Sequence, residues 1–325
     1  MRKALCVGIN YYVGCNCLKA CVNDAIGVAA AFESHYDGTP NFETALLCAQ
    51  DQETAVCASD LRYAVRELFK GSPEIALFYY SGHGALNSLG GYLCTSEIAN
   101  PEDGMSLDEL MGIAAQSKAK YKIIILDSCH SGAVGNIHSM ANFSLLPEGT
   151  TLLAACADND YAIERGGHGV FTSLFLQALR GDAMNILGEV TTAGIYSYID
   201  RLLGAYEQRP IFKANIDNFV CIRKNAPSIP LPRLRLIHKL FPEQNYVFPL
   251  DPSYEEDKRD AKTEEDKIRN EEHEQIFDIL RDYAALNLVE PVGEKRMYQA
   301  AVNSKSCRLT SLGQQYWKLS YRRKF

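Results

Sequence analysis

At 325 residues the chain exceeds what one compact core needs, so a large α/β domain with a smaller second unit is expected. Apolar residues make up 47% and charged residues 22%, a globular balance that excludes a fibrous or wholly disordered chain. The net charge of −7 supplies no global attraction to nucleic acid or anionic membrane, and no apolar run is long enough to cross a bilayer.

Strand and helix alternate over the first 220 residues. Residues 4–9 (Ala4-Leu5-Cys6-Val7-Gly8-Ile9) read as a strand, too short in its apolar stretch for a secretion leader and lacking a small-residue cleavage site. With no leader expected, the eleven cysteines point to reduced thiols in a cytoplasm. Residues 18–35 carry Leu18, Val22, Ile26, Ala29 and Ala30 at helical spacing. A strand at 44–48 precedes a helix at 55–69, with Leu61, Ala64, Val65, Leu68 and Phe69 on one face. Next come a third strand at 74–80, a short hairpin arm at 91–94, and Ser106 with Glu109 as a capping box for a helix through 115. Strands at 121–127 and 150–156, helices at 170–179 and 192–203, and a strand at 209–216 complete the series. This alternation predicts an α/β fold with a mainly parallel six-stranded sheet between helices, spanning residues 1–221.

The composition then changes. Pro227, Pro230, Pro232, Pro242, Pro249 and Pro252, followed by eleven acidic and five basic residues in 251–274, predict a Pro-rich and charged linker at 222–268. A helix at 276–286, an extended stretch at 288–291, a hairpin of 297–302 with 306–310, and a closing helix at 312–319 predict a small α+β domain at 269–325, winged-helix-like in its order.

Two short motifs carry the chemistry. Ser81-Gly82-His83-Gly84 follows the apolar run 75–80, and Asp127-Ser128-Cys129-His130-Ser131-Gly132 follows 121–126. Open parallel sheets build their sites at such carboxyl ends. Taken singly, a strand-end cysteine is usually a small buried hydrophobe and a histidine between glycines a loop residue. Together, 46 residues apart, they make a nucleophile and its proton acceptor. His130 adjoins the thiol in sequence but points to another side, which leaves His83 as the better partner.

In order and spacing these motifs resemble the caspase-like cysteine peptidases, in particular the metacaspase and paracaspase branch. Val7-Gly8-Ile9-Asn10, Asn23-Asp24-Ala25, Ala154-Ala155-Cys156 and Gly169-Val170-Phe171-Thr172 extend the likeness over about residues 2–220. The resemblance implies a caspase-like sandwich in which Cys129 attacks a peptide carbonyl and His83 protonates the leaving amine. It implies an oxyanion held by the backbone N–H groups of Gly84 and Cys129, with no third triad member and no metal or organic cofactor. The arginine that follows the nucleophile in aspartate-cutting caspases is missing from His130-Ser131-Gly132. Instead Asp127, Asp24 (where basic-specific relatives carry a pocket acid) and Asp160 are expected to wall a pocket for Arg or Lys. The plainer roles are a helix surface charge for Asp24 and a turn-former for Asp127.

Other features point less far. Cys15, Cys17 and Cys21 lack a paired downstream Cys/His set, so no metal is expected there. His168 reads as a loop residue between glycines, with a role in the substrate groove as the alternative. Some metacaspases bind calcium, but Glu102 and Asp103 form no ligand array and read as a solvated loop. From Arg281 onward nine basic residues face three acidic ones, which suits DNA; without a recognition helix rich in Arg, Asn or Gln, contact with a regulatory protein through 269–325 is favoured. The expectation is a cytoplasmic, prokaryotic endopeptidase with no membrane partner. It would act on protein substrates with Arg or Lys at the cleaved bond, in defence, stress or cell death, under C-terminal control. Its rivals are a catalytically silent scaffold and a DNA-associated regulator acting through the C-terminal unit.

Overall fold

The computed structural model describes residues 1–87, 90–97, 100, 103–129, 146–155, 167–203, 210–257, 263–264 and 268–325, with the backbone alone at positions 86, 87 and 129. The chain divides into two compact units, Met1–Ala226 and Pro227–Phe325.

The first unit is built on β1 (Arg2–Ile9), β2 (Glu43–Ala49), β3 (Ile75–Asn87), β6 (Tyr121–Cys129), β7 (Thr150–Ala154) and β9 (Ile211–Asn215), in the spatial order β2-β1-β3-β6-β7-β9. The first five run parallel and β9 antiparallel to β7, which is the mainly parallel six-stranded sheet expected. The short strands β4 (Gly90–Leu93) and β5 (Met105–Ser106) extend the far end of β3, and β8 (Glu189–Thr191) pairs with β10 (Cys221–Lys224).

Burial on both faces explains the unbroken apolar runs. Ala76, Phe78 and Tyr80 of β3 join Ile124 and Leu126 of β6 beneath α2 (Ala58–Phe69) and α3 (Leu107–Gln116). Ile75, Leu77 and Tyr79 alternate with them and meet α1 (Cys21–Glu33), α4 (Val170–Gln177) and α5 (Thr192–Leu203) on the opposite face. Each such buried side chain contributes about 1.5–3 kcal/mol, so the register of the two central strands is strongly determined.

Two local devices seat α1, which carries Asp24. Its N-terminus has no capping side chain of its own; the buried Asn10 reaches across instead, its Oδ1 accepting from the Val22 N–H at 3.2 Å. Gly8 of β1 lets the helix approach, since a Cβ there would stand 2.3 Å from the Cys21 carbonyl oxygen and 2.8 Å from the Ala25 Cβ. The capping box at α3 forms by half. Ser106 accepts from the Glu109 N–H at 3.0 Å, while the Glu109 carboxylate is drawn to Arg62 at 2.9 Å.

The boundary lies further on than residue 221. Strand β10 belongs to the first unit, where Asn41 donates to the Ile222 carbonyl at 2.9 Å and Arg223 donates to the Ala31 and Ser34 carbonyls at the end of α1. Nor are the described residues of 227–257 a linker. They form α6 (Leu231–Leu234), α7 (Ile237–Leu240), β11 (Val247–Pro249) and a 3₁₀ turn, Pro252–Tyr254. Leu234, Ile237, Phe241 and Phe248 are buried there. The prolines punctuate these pieces, Pro232 in a first helical turn and Pro249 on an edge strand, positions that need no backbone N–H. Arg259 and Glu265 of the charged block lie outside the described residues.

The second unit continues with α8 (Glu271–Ala285), β12 (Val289–Val292), α9 (Met297–Val302), β13 (Ser306–Leu309) and α10 (Ser311–Tyr321). Its antiparallel sheet has the order β11-β13-β12. The hairpin arm expected at 297–302 is therefore a helix, and β13 pairs with β11 and β12 instead. Met297, Gln299, Ala300 and Ala301 are strong helix formers, and Met297, Ala300 and Ala301 bury one face. The valine and tyrosine that suggested a strand are outweighed.

Because Gly8 sets the distance between β1 and the helix bearing Asp24, Gly8→Ala is expected to cost about 1–3 kcal/mol through overpacking, read as a lowered urea midpoint. An unchanged midpoint would mean that α1 is free to move away.

Candidate active site

The two motifs meet by register. Parallel pairing of β3 with β6 sets Ser81 opposite Asp127, Gly82 opposite Ser128, and His83 opposite Cys129. The histidine motif is strand rather than loop, because β3 runs on to Asn87 and Gly84 pairs with Leu93 of β4. Its backbone is claimed by that hairpin, where the Cys94 N–H donates to the His83 carbonyl at 3.0 Å.

His83 is 4% exposed and held from several sides. Its Nε2 lies 2.7 Å from the Asn16 carbonyl oxygen. A carbonyl only accepts, so Nε2 carries the proton of that bond. The Tyr12 ring packs against the imidazole with centroids 4.6 Å apart, and the Tyr12 hydroxyl accepts from the His83 N–H at 2.8 Å. The Tyr80 hydroxyl donates to the His83 carbonyl at 2.7 Å. Gly82 makes this cluster possible: a Cβ there would fall 2.6 Å from the Tyr12 hydroxyl and 2.7 Å from that of Tyr80. Burial raises both phenols well above their ordinary range, so they act as neutral hydrogen-bonding groups.

Beside this pair lies an acidic cluster. Asp24 is 1% exposed; its carboxylate accepts from His168 Nδ1 at 2.8 Å, from Ser81 Oγ at 3.2 Å and from the Gly169 N–H at 3.3 Å. Asp127 accepts from Thr172 Oγ1 at 2.6 Å, and Thr172 in turn bonds to the buried Tyr79 hydroxyl. Both carboxylates converge on Gly169, where a Cβ would stand 3.2 Å from Asp127 Oδ2 and 3.4 Å from Asp24 Oδ2. Burial pushes Asp24 above the usual carboxylate range, while the bonds from His168, Gly169 and Ser81 pull it back. Asp127 is pushed up to about 7, chiefly by burial, with the charge of Asp24 adding to the rise and the Thr172 bond opposing it.

Asp24 and Asp127 are thus brought together, and neither is an exposed charge. Asp160, His130 and Glu102 lie outside the described residues. Asp103 accepts from the Asn100 N–H at 2.7 Å on an exposed loop. Cys15 and Cys17 are exposed and Cys21 is buried in α1. Among the described residues no cluster of three or more His, Cys, Asp or Glu side chains is placed to hold a metal ion. Sequence reading missed the Asn16 carbonyl, Tyr12, Ser81 and Thr172 as site groups. Ser81 and Thr172 stood inside recognised motifs, whereas nothing in the local pattern marks Tyr12 or a backbone carbonyl.

The model of the Peptidase_C14 caspase domain matches residues 1–219. The chain belongs to the caspase domain family. Metacaspase-1 of Candida glabrata is 30% identical over 149 residues, covering 41% of this chain and 37% of that protein, so the match spans well under half the relative's length. A solved structure, protein GSU0716 from Geobacter sulfurreducens, aligns at 18% identity over 69% of this chain and 97% of its own, with a TM-score of 0.49. The first unit is accordingly a caspase domain, with His83 and Cys129 at the paired ends of its central strands.

The raised Asp127 predicts a signature in stability. The native carboxyl binds its proton up to about pH 7, whereas the ordinary value is 3.8, so between these the folded state holds the extra proton. Stability of the caspase domain should fall as pH rises across that window and level off above it, with a slope approaching about 1.4 kcal/mol per pH unit for one proton. Asp127→Asn should remove that slope in urea titrations at pH 4.5, 6 and 7.5. Parallel profiles for wild type and variant would show Asp127 to be normally acidic.

Proposed function

We propose that the chain is a cysteine endopeptidase that cleaves protein substrates after Arg or Lys. The observation that carries this reading is the register pair His83–Cys129 set beside the convergent carboxylates Asp24 and Asp127. With Nε2 donating to the Asn16 carbonyl, His83 takes the thiol proton at Nδ1 in this reading. The thiolate of Cys129 attacks the peptide carbonyl, and the backbone N–H groups of Gly84 and Cys129 stabilise the oxyanion. The imidazolium then protonates the leaving amine, and water hydrolyses the acyl-enzyme. Asp24 and Asp127 hold the basic side chain before the cleaved bond, where a guanidinium or ammonium offsets the cost of keeping carboxylates out of water.

Residues 227–325 serve in this reading as a regulatory or docking unit for a protein partner. Among the described residues Cys6, Cys48, Cys94 and Cys307 carry free thiols, which supports a cytoplasmic setting. Among the described residues no helix is long and apolar enough to cross a membrane. A role in defence, stress or cell death follows from the resemblance to metacaspases.

On peptides differing only in the residue before the cleaved bond, Cys129→Ala should abolish hydrolysis and His83→Ala should lower kcat/KM by about 10²–10⁴-fold. Retained cleavage by Cys129→Ala would sink the mechanism. Asp24→Ala and Asp127→Ala should each reduce the preference for Arg over Gln by about 10-fold or more, the scale of one charge-assisted bond. If that preference persists in both, the pocket lies elsewhere. A chain ending at residue 226 should outpace the full chain if the second unit restrains it; equal rates would leave that unit a docking role.

A further inference from the structure

Asp24 is 1% exposed and already engaged by three donors. A carboxylate offers about four acceptor positions, and here Oδ1 takes His168 Nδ1 and the Gly169 N–H, while Oδ2 takes Ser81 Oγ and shares the same amide at 3.4 Å. A substrate cation can reach this group only by displacing a donor. The Gly169 amide is part of the backbone, and Ser81 is 2% exposed on a central strand. The His168 side chain is 28% exposed and turns about its own side-chain bonds. It rests over Gly27 of α1, where a Cβ would stand 3.2 Å from its Cε1 atom, so the ring is seated by the absence of a side chain below it. Of the two side-chain donors, the imidazole is the one that reaches solvent, so it can withdraw into water without moving backbone.

We propose that His168 gates the acidic pocket: its imidazole holds the Asp24 carboxylate in the free enzyme and swings out when the basic side chain of a substrate takes its place. This rests on the Arg/Lys reading of the pocket and adds to it a resident competitor. A planar guanidinium replaces one nitrogen donor with a bidentate pair, which makes the exchange favourable for arginine. A neutral side chain offers at most an uncharged donor in exchange, so His168 stays and the pocket remains closed to it. The gate therefore lowers the apparent affinity for basic substrates by the fraction of molecules in which the pocket is open.

The test uses the full chain as wild type, His168→Ala and His168→Gln, on peptides carrying Arg, Lys, Gln or Asp before the cleaved bond. Removing the imidazole should lower KM for the Arg and Lys peptides by about 10-fold, with kcat nearly unchanged and the Gln peptide unaffected. His168→Gln, whose amide still donates to Asp24, should fall between. A wild type that prefers basic residues while His168→Ala leaves KM for Arg unchanged or raises it would overturn the gate and leave the pocket standing. A wild type with no basic preference would overturn both. To separate these results from a folding defect, the imidazole nitrogens of His168 can be followed by NMR in the full-length Cys129→Ala chain. Agmatine, a guanidinium probe, should shift them to the values seen in an Asp24→Asn reference. Signals unmoved at agmatine concentrations that block wild-type hydrolysis would refute the displacement.

Discussion

Everything in the first unit hangs on the parallel pairing of two strands that are buried on both faces. Ile75–His83 and Tyr121–Cys129 pair residue for residue over nine positions, and slipping them by one would turn Phe78, Tyr80, Ile124 and Leu126 out of one core and into the other. The penalty for that slip is paid by apolar side chains far from any chemistry. Its benefit appears at the polar end, where two reactive residues are brought level without either having to contribute stability.

That end of the sheet is expensive to build. Asp24 and Asp127 are both withdrawn from water, and each needs donors to remain there: Ser81, His168 and Gly169 for one, Thr172 for the other. Desolvation outweighs those donors at Asp127, which is why its carboxyl is driven toward neutrality. A site that strains against its own charge is poised to welcome a cation. The same imbalance makes it poor structural material, so the surrounding hydrophobic faces must supply the stability.

Much of this was legible in the residues. Continuous apolar runs announced strands covered on both sides, and the polar turn chemistry after each run located His83 and Cys129. Legibility failed where local pattern and tertiary context disagree. The prolines of 227–257 suggested a linker, yet Leu234, Ile237, Phe241 and Phe248 recur around them at spacings too irregular for one helix or strand, and they close a core. Met297–Val302 alternates enough to pass as a hairpin arm, but its alanines and methionine pack as a helical face. In the site, Asp24 was visible only through its motif, because a carboxylate in the first turn of a helix ordinarily faces solvent. Thr172 and Tyr12 act through contacts far apart in sequence, which no spacing rule can anticipate.

The tie on His83 Nε2 has a further consequence. The group that orients the imidazole is the carbonyl oxygen of Asn16, and every amino acid brings the same carbonyl. Position 16 can therefore drift in side chain while its chemical duty stays constant, and an alanine scan would pass over it without effect. Only a change that moves the main chain, such as proline at a neighbouring position, or one that weakens the carbonyl itself, such as an ester in the backbone, would expose it. Here His83 depends on a residue whose identity carries no information about its importance.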